Sequence, residues 1–204
     1  MKYIRQLYDW VLHWAETPYG PAALFLLSFA EASFFPIPPD PLLIALVLGA
    51  RMKAFRFALY CSVASVLGAV LGYAIGHFAW WTPGGEFTSL AQFFFNNVPG
   101  FTQERFFTVQ SLYDQWNFWV VFTAGFTPLP YKVFTVSGGA FNINLPMFLL
   151  ASVISRSARF FLVAGLIWKF GPGIQSFIDK YFNWLAIGFT VLLIGGFMVV
   201  KYLL

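Results

Sequence analysis

Two stretches of the chain read almost alike: FFPIPPDP, Phe34 to Pro41, and FTPLPYKV, Phe126 to Val133. Each interrupts an apolar run, and each carries two or more prolines with an ionisable residue beside them. Residues Pro21 to Phe35 are apolar apart from Ser28, Glu31 and Ser33, and Leu42 to Ala50 is apolar again. Neither limb reaches the roughly 20 apolar residues that a membrane-crossing helix needs. Pro36, Pro38, Pro39 and Pro41 cannot all lie inside one helix, because each removes an amide donor and clashes with the preceding turn. The pattern predicts a re-entrant helical hairpin with its tip inside the protein, since irregular backbone at membrane depth must be buried in protein or line a wet cavity. One long broken spanning helix is the alternative. The second stretch repeats the design: Trp116 to Thr127, then Pro128 and Pro130, then Val133 to Phe141 with Gly138 and Gly139 at the second turn region.

Composition sets the environment. The 204 residues are 59% hydrophobic and only 10% charged, against about 25% charged in soluble domains; mean hydropathy is +0.72. This predicts an all-α polytopic membrane protein. The formal charge of +4 is better read as membrane topology than as nucleic-acid binding, and no nucleic-acid partner is expected. The single cysteine, Cys61, excludes a disulfide framework and a thiolate metal site. His13 and His77 lie far apart. No Ser-His-Asp order, metal-ligand cluster or nucleotide loop is present, so neither an enzyme nor a cofactor or metal is expected.

Residues 1–18 carry apolar side chains at helical spacing with Lys2, Arg5, Asp9 and Glu16 between them. They read as an amphipathic helix at the membrane surface. Phe57 to Trp80 reads as a spanning helix whose Ser65, Gly68, Gly72 and Gly76 share one face, letting another helix approach closely. That face packs within one chain or between two copies of a homo-oligomer. Residues 82–116 form an extramembrane segment, Pro146 to Lys169 a second spanning helix, and 173–204 a linker with a last apolar helix from Trp184 to Lys201.

A shift of 92 residues places Pro36 on Pro128, Pro38 on Pro130 and Asp40 on Lys132. Helix 57–80 then falls on 149–172. A first half, 21–80, and a second, 117–172, each consist of a hairpin and a spanning helix. An odd number of crossings between them inverts one relative to the other, a transporter design. With the N-terminus in the cytoplasm, Lys2, Arg5, Arg51, Lys53, Arg56, Lys169 and Lys180 lie inside, and only Arg105 and Lys201 outside.

Five ionisable residues remain at membrane depth: Glu31, Asp40, Lys132, Arg156 and Arg159. Each costs about 2.5–3.5 kcal/mol near a helix centre unless paired or wet. Two acids come from the first half and three bases from the second, which predicts pairing between halves with one positive charge left over. Arg156 and Arg159 share a helix face. A guanidinium's planar fork suits a phosphate, so Arg156, Arg159 and Lys132 are candidate phosphate ligands. Glu31 and Asp40 are candidate ion-pairing or proton-coupling groups. The structural alternative is that all five only lock the hairpins.

These residues resemble the DedA family, whose membrane core is also called the VTT or SNARE-associated domain. The resemblance rests on Phe29-Ala30-Glu31, Pro39-Asp40, and Phe126-Thr127-Pro128 followed by Gly138-Gly139, and it covers roughly residues 20–172. The family's arginines flanking its second turn would fall at Gly125 and Tyr131, where this chain has no basic group. It resembles a divergent branch with a Thr-Pro-x-Pro-Tyr-Lys turn. The resemblance implies facing re-entrant hairpins and movement of a lipid phosphate, undecaprenyl (polyprenyl) phosphate or a phospholipid, across the bacterial inner membrane. It also implies a link to proton-motive force, which protonatable Glu31 and Asp40 would serve. The expected function is therefore a flippase or scramblase whose partners are that lipid and the bilayer. A proton- or cation-coupled solute transporter and a non-transporting membrane-integrity factor are the alternatives.

Overall fold

The computed structural model describes residues 17–35, 37–98, 101–127 and 129–171. The expected N-terminal amphipathic helix, the C-terminal helix, Pro36 and Pro128 lie outside the described residues. The described chain is all-helical. Its elements are α1 (Gly20–Ser33), α2 (Asp40–Gly49), a 3-10 turn (Arg51–Lys53) running into α3 (Ala54–Trp80), α4 (Ser89–Asn97), α5 (Gln103–Phe126), α6 (Tyr131–Ala140) and α7 (Leu145–Phe170). The spans Arg51–Trp80 and Leu145–Phe170 are long and apolar enough to cross a membrane.

Local chemistry explains where the helices begin. Pro21, Pro41 and Pro146 each stand in the first helical positions of α1, α2 and α7, where the missing amide hydrogen costs nothing. Asn144 caps α7 by accepting from the Met147 amide at 3.0 Å, and Thr88 and Thr102 cap α4 and α5 in the same way. Gly171 ends α7 at φ +60°, a conformation that costs a glycine little.

The proline stretches break the chain between Ser33 and Asp40, and between Phe126 and Tyr131. The packing then repeats. First limb α1 packs chiefly on α3, as α5 packs on α7; second limb α6 packs on α3, and α2 packs on α7 as well as on the 3-10 turn and α3. Second limb α6 thus leaves the long helix that follows it for α3, while α2 lies between both long helices.

The small-residue face of α3 packs inside the chain. A Cβ at Gly68 would strike the Phe29 carbonyl, one at Gly72 the Thr135 side chain, and one at Gly76 the Val136 carbonyl. Glycine here is what lets α1 and α6 lie against α3. The opposite surface is apolar: Leu59, Val63, Leu67 and Ile75 of α3, and Leu150, Val153 and Leu162 of α7, are exposed, as expected of helices meeting lipid.

Two expectations are corrected. The boundary after Trp116 falls inside α5, which runs unbroken from Gln103; polar residues at its start hide a helix whose apolar part alone is visible as a limb. Gly138 and Gly139 are not in a turn but within α6. Gly139 faces the Tyr73 backbone so closely that a Cβ would collide with its carbonyl oxygen, so it serves close packing of α6 on α3.

The segment around residues 80–107 is held by aromatic rings. Phe87 stacks on Trp81 at 4.6 Å and Trp80 on Phe106 at 5.9 Å between centroids. The Trp81 indole donates to the Ala140 carbonyl at 2.7 Å, and the Tyr73 hydroxyl to the Ile143 carbonyl at 2.7 Å. Together they fix the end of α6 to α3.

Candidate functional site

Both chain breaks leave helix-terminal carbonyls without intrahelical donors. At the first, Thr135 Oγ1 of α6 donates to the Ala32 carbonyl at 2.8 Å, and Lys132 Nζ to the Phe34 carbonyl at 3.4 Å. At the second, Arg159 Nη1 of α7 donates to the Phe126 carbonyl at 3.3 Å. Phe34 and Phe126 occupy matching positions under the 92-residue shift. In both places a cation from elsewhere in the chain sits at the negative end of a helix, the favourable arrangement.

The acids pair with bases from α7. Arg156 Nη2 donates to Glu31 Oε2 at 2.6 Å. Arg159 donates to Asp40 Oδ1 through Nη2 at 2.9 Å and Nε at 3.2 Å. Asp40 is the first residue of α2, where the helix dipole also favours its charge. Arg156 and Arg159 lie one turn apart, so α7 presents both guanidiniums to the first half. Lys132 is the base left over: among the described residues no carboxylate lies within salt-bridge distance of it.

The two pairs differ in environment. Arg156 is 2% exposed. Its Nε donates to Ser65 Oγ at 2.6 Å, and its guanidinium lies over the Tyr131 and Phe160 rings at 4.8 and 4.7 Å. Phe160 belongs to one apolar cluster, with Leu24, Leu43 and Phe57; Tyr131 belongs to the other, with Val121, Ile143 and Phe148. Arg156 therefore joins the two halves of the core. Tyr131 is itself fixed by donating to Ser152 Oγ at 2.6 Å. Arg159 and Asp40 are more open, with side chains 14% and 20% exposed, and Lys132 is half-buried.

Four of the five charged residues thus pair as Glu31–Arg156 and Asp40–Arg159, and Lys132 bonds the Phe34 carbonyl. Arg156 is sealed by Glu31, Ser65 and two rings, and a phosphate could reach it only by displacing Glu31 within the core. Arg159 and Lys132 are the bases a ligand can approach. Pro38, Pro39 and Pro130 border the breaks; Pro36 and Pro128 are not among the described residues. Among the described residues no cluster of three metal-ligating side chains occurs.

Sequence reasoning missed Tyr131, Ser152, Thr135 and Phe160 as partners of this site. Only Ser65 left a signal, by its place on the small-residue face. At Tyr131, where the resemblance leads one to expect an arginine, the guanidinium of Arg156 covers the ring instead. At Gly125, the other such position, a Cβ would strike the Ser155 hydroxyl, so the close approach of α5 to α7 leaves no room for a long side chain.

Comparison with known proteins found full-length relatives. An uncharacterized protein of Haemophilus influenzae is 34% identical over 98% of this chain and 100% of its own length. An uncharacterized protein of Histophilus somni is 36% identical over the same share of this chain and 100% of its own length. The chain belongs to the family of these two proteins. No family model matches it, and no solved structure does.

Proposed function

We propose that this member of the Haemophilus and Histophilus protein family is a polytopic inner-membrane transporter that moves a phosphate-bearing lipid, undecaprenyl phosphate or a phospholipid, between leaflets. The observation that carries this reading is the pair of charged contacts, Glu31–Arg156 and Asp40–Arg159, where two chain breaks meet. Charges at membrane depth are costly and mark substrate or ion paths. Broken helices facing one another at a repeat interface are where transporters bind. The helix boundaries support the repeat: α2, α3 and their counterparts α6 and α7 keep the 92-residue offset to within two residues at their starts. The resemblance to the DedA family points the same way, and so does the apolar outer surface of α3 and α7.

In this reading Lys132 and Arg159 receive the phosphate. The headgroup takes the place of Asp40 on the Arg159 fork. A link to a proton gradient rests on the resemblance to the DedA family. Arg156 and Glu31 hold the breaks in position. The lipid tails stay in hydrocarbon, so only the headgroup needs shelter, which suits so small a chain.

The test is headgroup translocation in proteoliposomes, comparing polyprenyl phosphate with labelled phospholipids, with and without a pH gradient. Arg159→Ala and Lys132→Ala are expected to abolish movement while Arg159→Lys retains part of it. Wild-type protein that moves no lipid would end this reading. The sealed Glu31–Arg156 pair favours one competitor, a structural role without transport. It predicts that Asp40→Asn and Arg159→Gln leave cellular function intact.

A further inference from the structure

A groove of about 340 Å³ lies between α5 and α6, bordered by Trp116, Trp119, Thr123, Leu129 and Phe134. Its walls are almost wholly apolar, so it offers a polar ligand nothing to bond. The volume lies within the range of small-molecule sites, about 300–1,000 Å³, yet the groove is open along its side. Trp116 and Trp119, on its rim, are 54% and 60% exposed. Indole rings give broad contact area at little rotamer cost.

Its position relates it to the charged site. Thr123 is one helical turn before Phe126, whose carbonyl receives Arg159. Leu129 lies inside the second break, just ahead of Lys132 on the first turn of α6. The groove thus runs toward the second break, where Arg159 sits on the Phe126 carbonyl, and Lys132 follows on the first turn of α6 with its ammonium on the Phe34 carbonyl. An occupant would have an apolar body along α5 and an anionic end at Lys132 and Arg159.

We propose that this groove seats a hydrocarbon chain of a phosphate lipid whose headgroup lies at Lys132 and Arg159. This rests on the function proposed above and adds to it. The substrate is held by its tail as well as its phosphate, and tail chemistry contributes to selection. Bilayer hydrocarbon is itself apolar, so the tail is selected by how well it packs against the groove walls and not by transfer from water.

The test is photo-crosslinking of the full chain in liposomes. The probe is phosphatidic acid with a diazirine midway along one acyl chain; the control is diacylglycerol bearing the same chain and no phosphate. With phosphatidic acid, adducts are expected on Trp116, Trp119, Leu129 and Phe134 at about tenfold their level on Leu59 and Val63, outward residues of α3. Diacylglycerol should show no such preference, and Thr123→Trp, which fills the groove from an exposed position, should remove it. Even labelling of all outward residues would overturn the proposal, because bulk bilayer lipid alone would explain it. Equal enrichment with diacylglycerol would overturn the link to the charged site. Protection from both probes would mean that another part of the chain or a second copy covers the groove, and would overturn it too. Headgroup translocation in the same liposomes separates the two claims. Enriched labelling without translocation sinks the transport reading alone. Translocation that needs Arg159 but ignores Thr123→Trp, with no enrichment, sinks the groove alone.

Discussion

Deleting the Glu31–Arg156 pair from one side and then from both isolates what it contributes. Arg156→Met leaves the Glu31 carboxylate, 8% exposed, without its cation, and Glu31→Leu strands the guanidinium between the Tyr131 and Phe160 rings. Breaking a buried pair on one side costs about 3–5 kcal/mol. The charge-assisted bonds at 2.6 Å to Glu31 and Ser65 place Arg156→Met towards the upper end, since each such bond is worth about 1.5–3 kcal/mol. Replacing both members by apolar residues removes the unpaired charge, and such replacements are often neutral or stabilising. The double variant Glu31→Leu/Arg156→Met is therefore expected to be more stable than either single one. The assay is reversible unfolding in mixed micelles, read as a double-mutant cycle, with a coupling of at least about 3 kcal/mol. Additive losses would refute the reasoning, because they would mean that neither residue needs the other's charge.

Three further outcomes follow from the packing. Gly76→Ala should cost about 1–3 kcal/mol in the same unfolding assay, since its Cβ meets the Val136 carbonyl, whereas Gly49→Ala, with nothing within 4 Å, should be neutral or gain about 0.4–1 kcal/mol. Tyr131→Phe should lose about 0.5–1.5 kcal/mol, because Ser152 keeps its own bond to the Phe148 carbonyl at 2.7 Å; a larger loss would show that the hydroxyl also orders Arg156. Lys132→Gln should leave stability within about 0.5 kcal/mol yet weaken phosphate-lipid binding, measured by competition with inorganic phosphate, and unchanged binding would remove Lys132 from the site.

Much of the frame can be read from the chain because it is local. Proline stretches end helices wherever they fall, so both breaks follow from FFPIPPDP and FTPLPYKV, and long apolar runs announce α3 and α7. Counting charges predicts pairing between halves with one base over, since unpaired charges in an apolar setting are prohibitive. The identity of the pairs is not local: Glu31 finds Arg156 and Asp40 finds Arg159 across 125 and 119 residues. Nothing in the sequence says that two rings and Ser65 will close around Arg156 while Arg159 stays open. The start of α5 is hidden for another reason. Its first residues, QERFFTVQSLYDQ, mix polar and aromatic side chains, and the aromatic ones pack on Trp80 and Phe141, a contact that hydropathy does not encode.

The place of α7, last of the described helices and partner to α2 and to both acids, bears on how the chain is made. While the first half emerges from the ribosome, α2 has no α7 to lie against, and Glu31 and Asp40 have no guanidiniums. Both acids must wait for more than a hundred further residues of synthesis before they can be neutralised. The first half is until then an unfinished object, its two carboxyls without their cations. Completion of the last described helix closes it. Translation order thus sets when the two charges can be met: a chain truncated before Arg156 keeps both acids and lacks both of their cations.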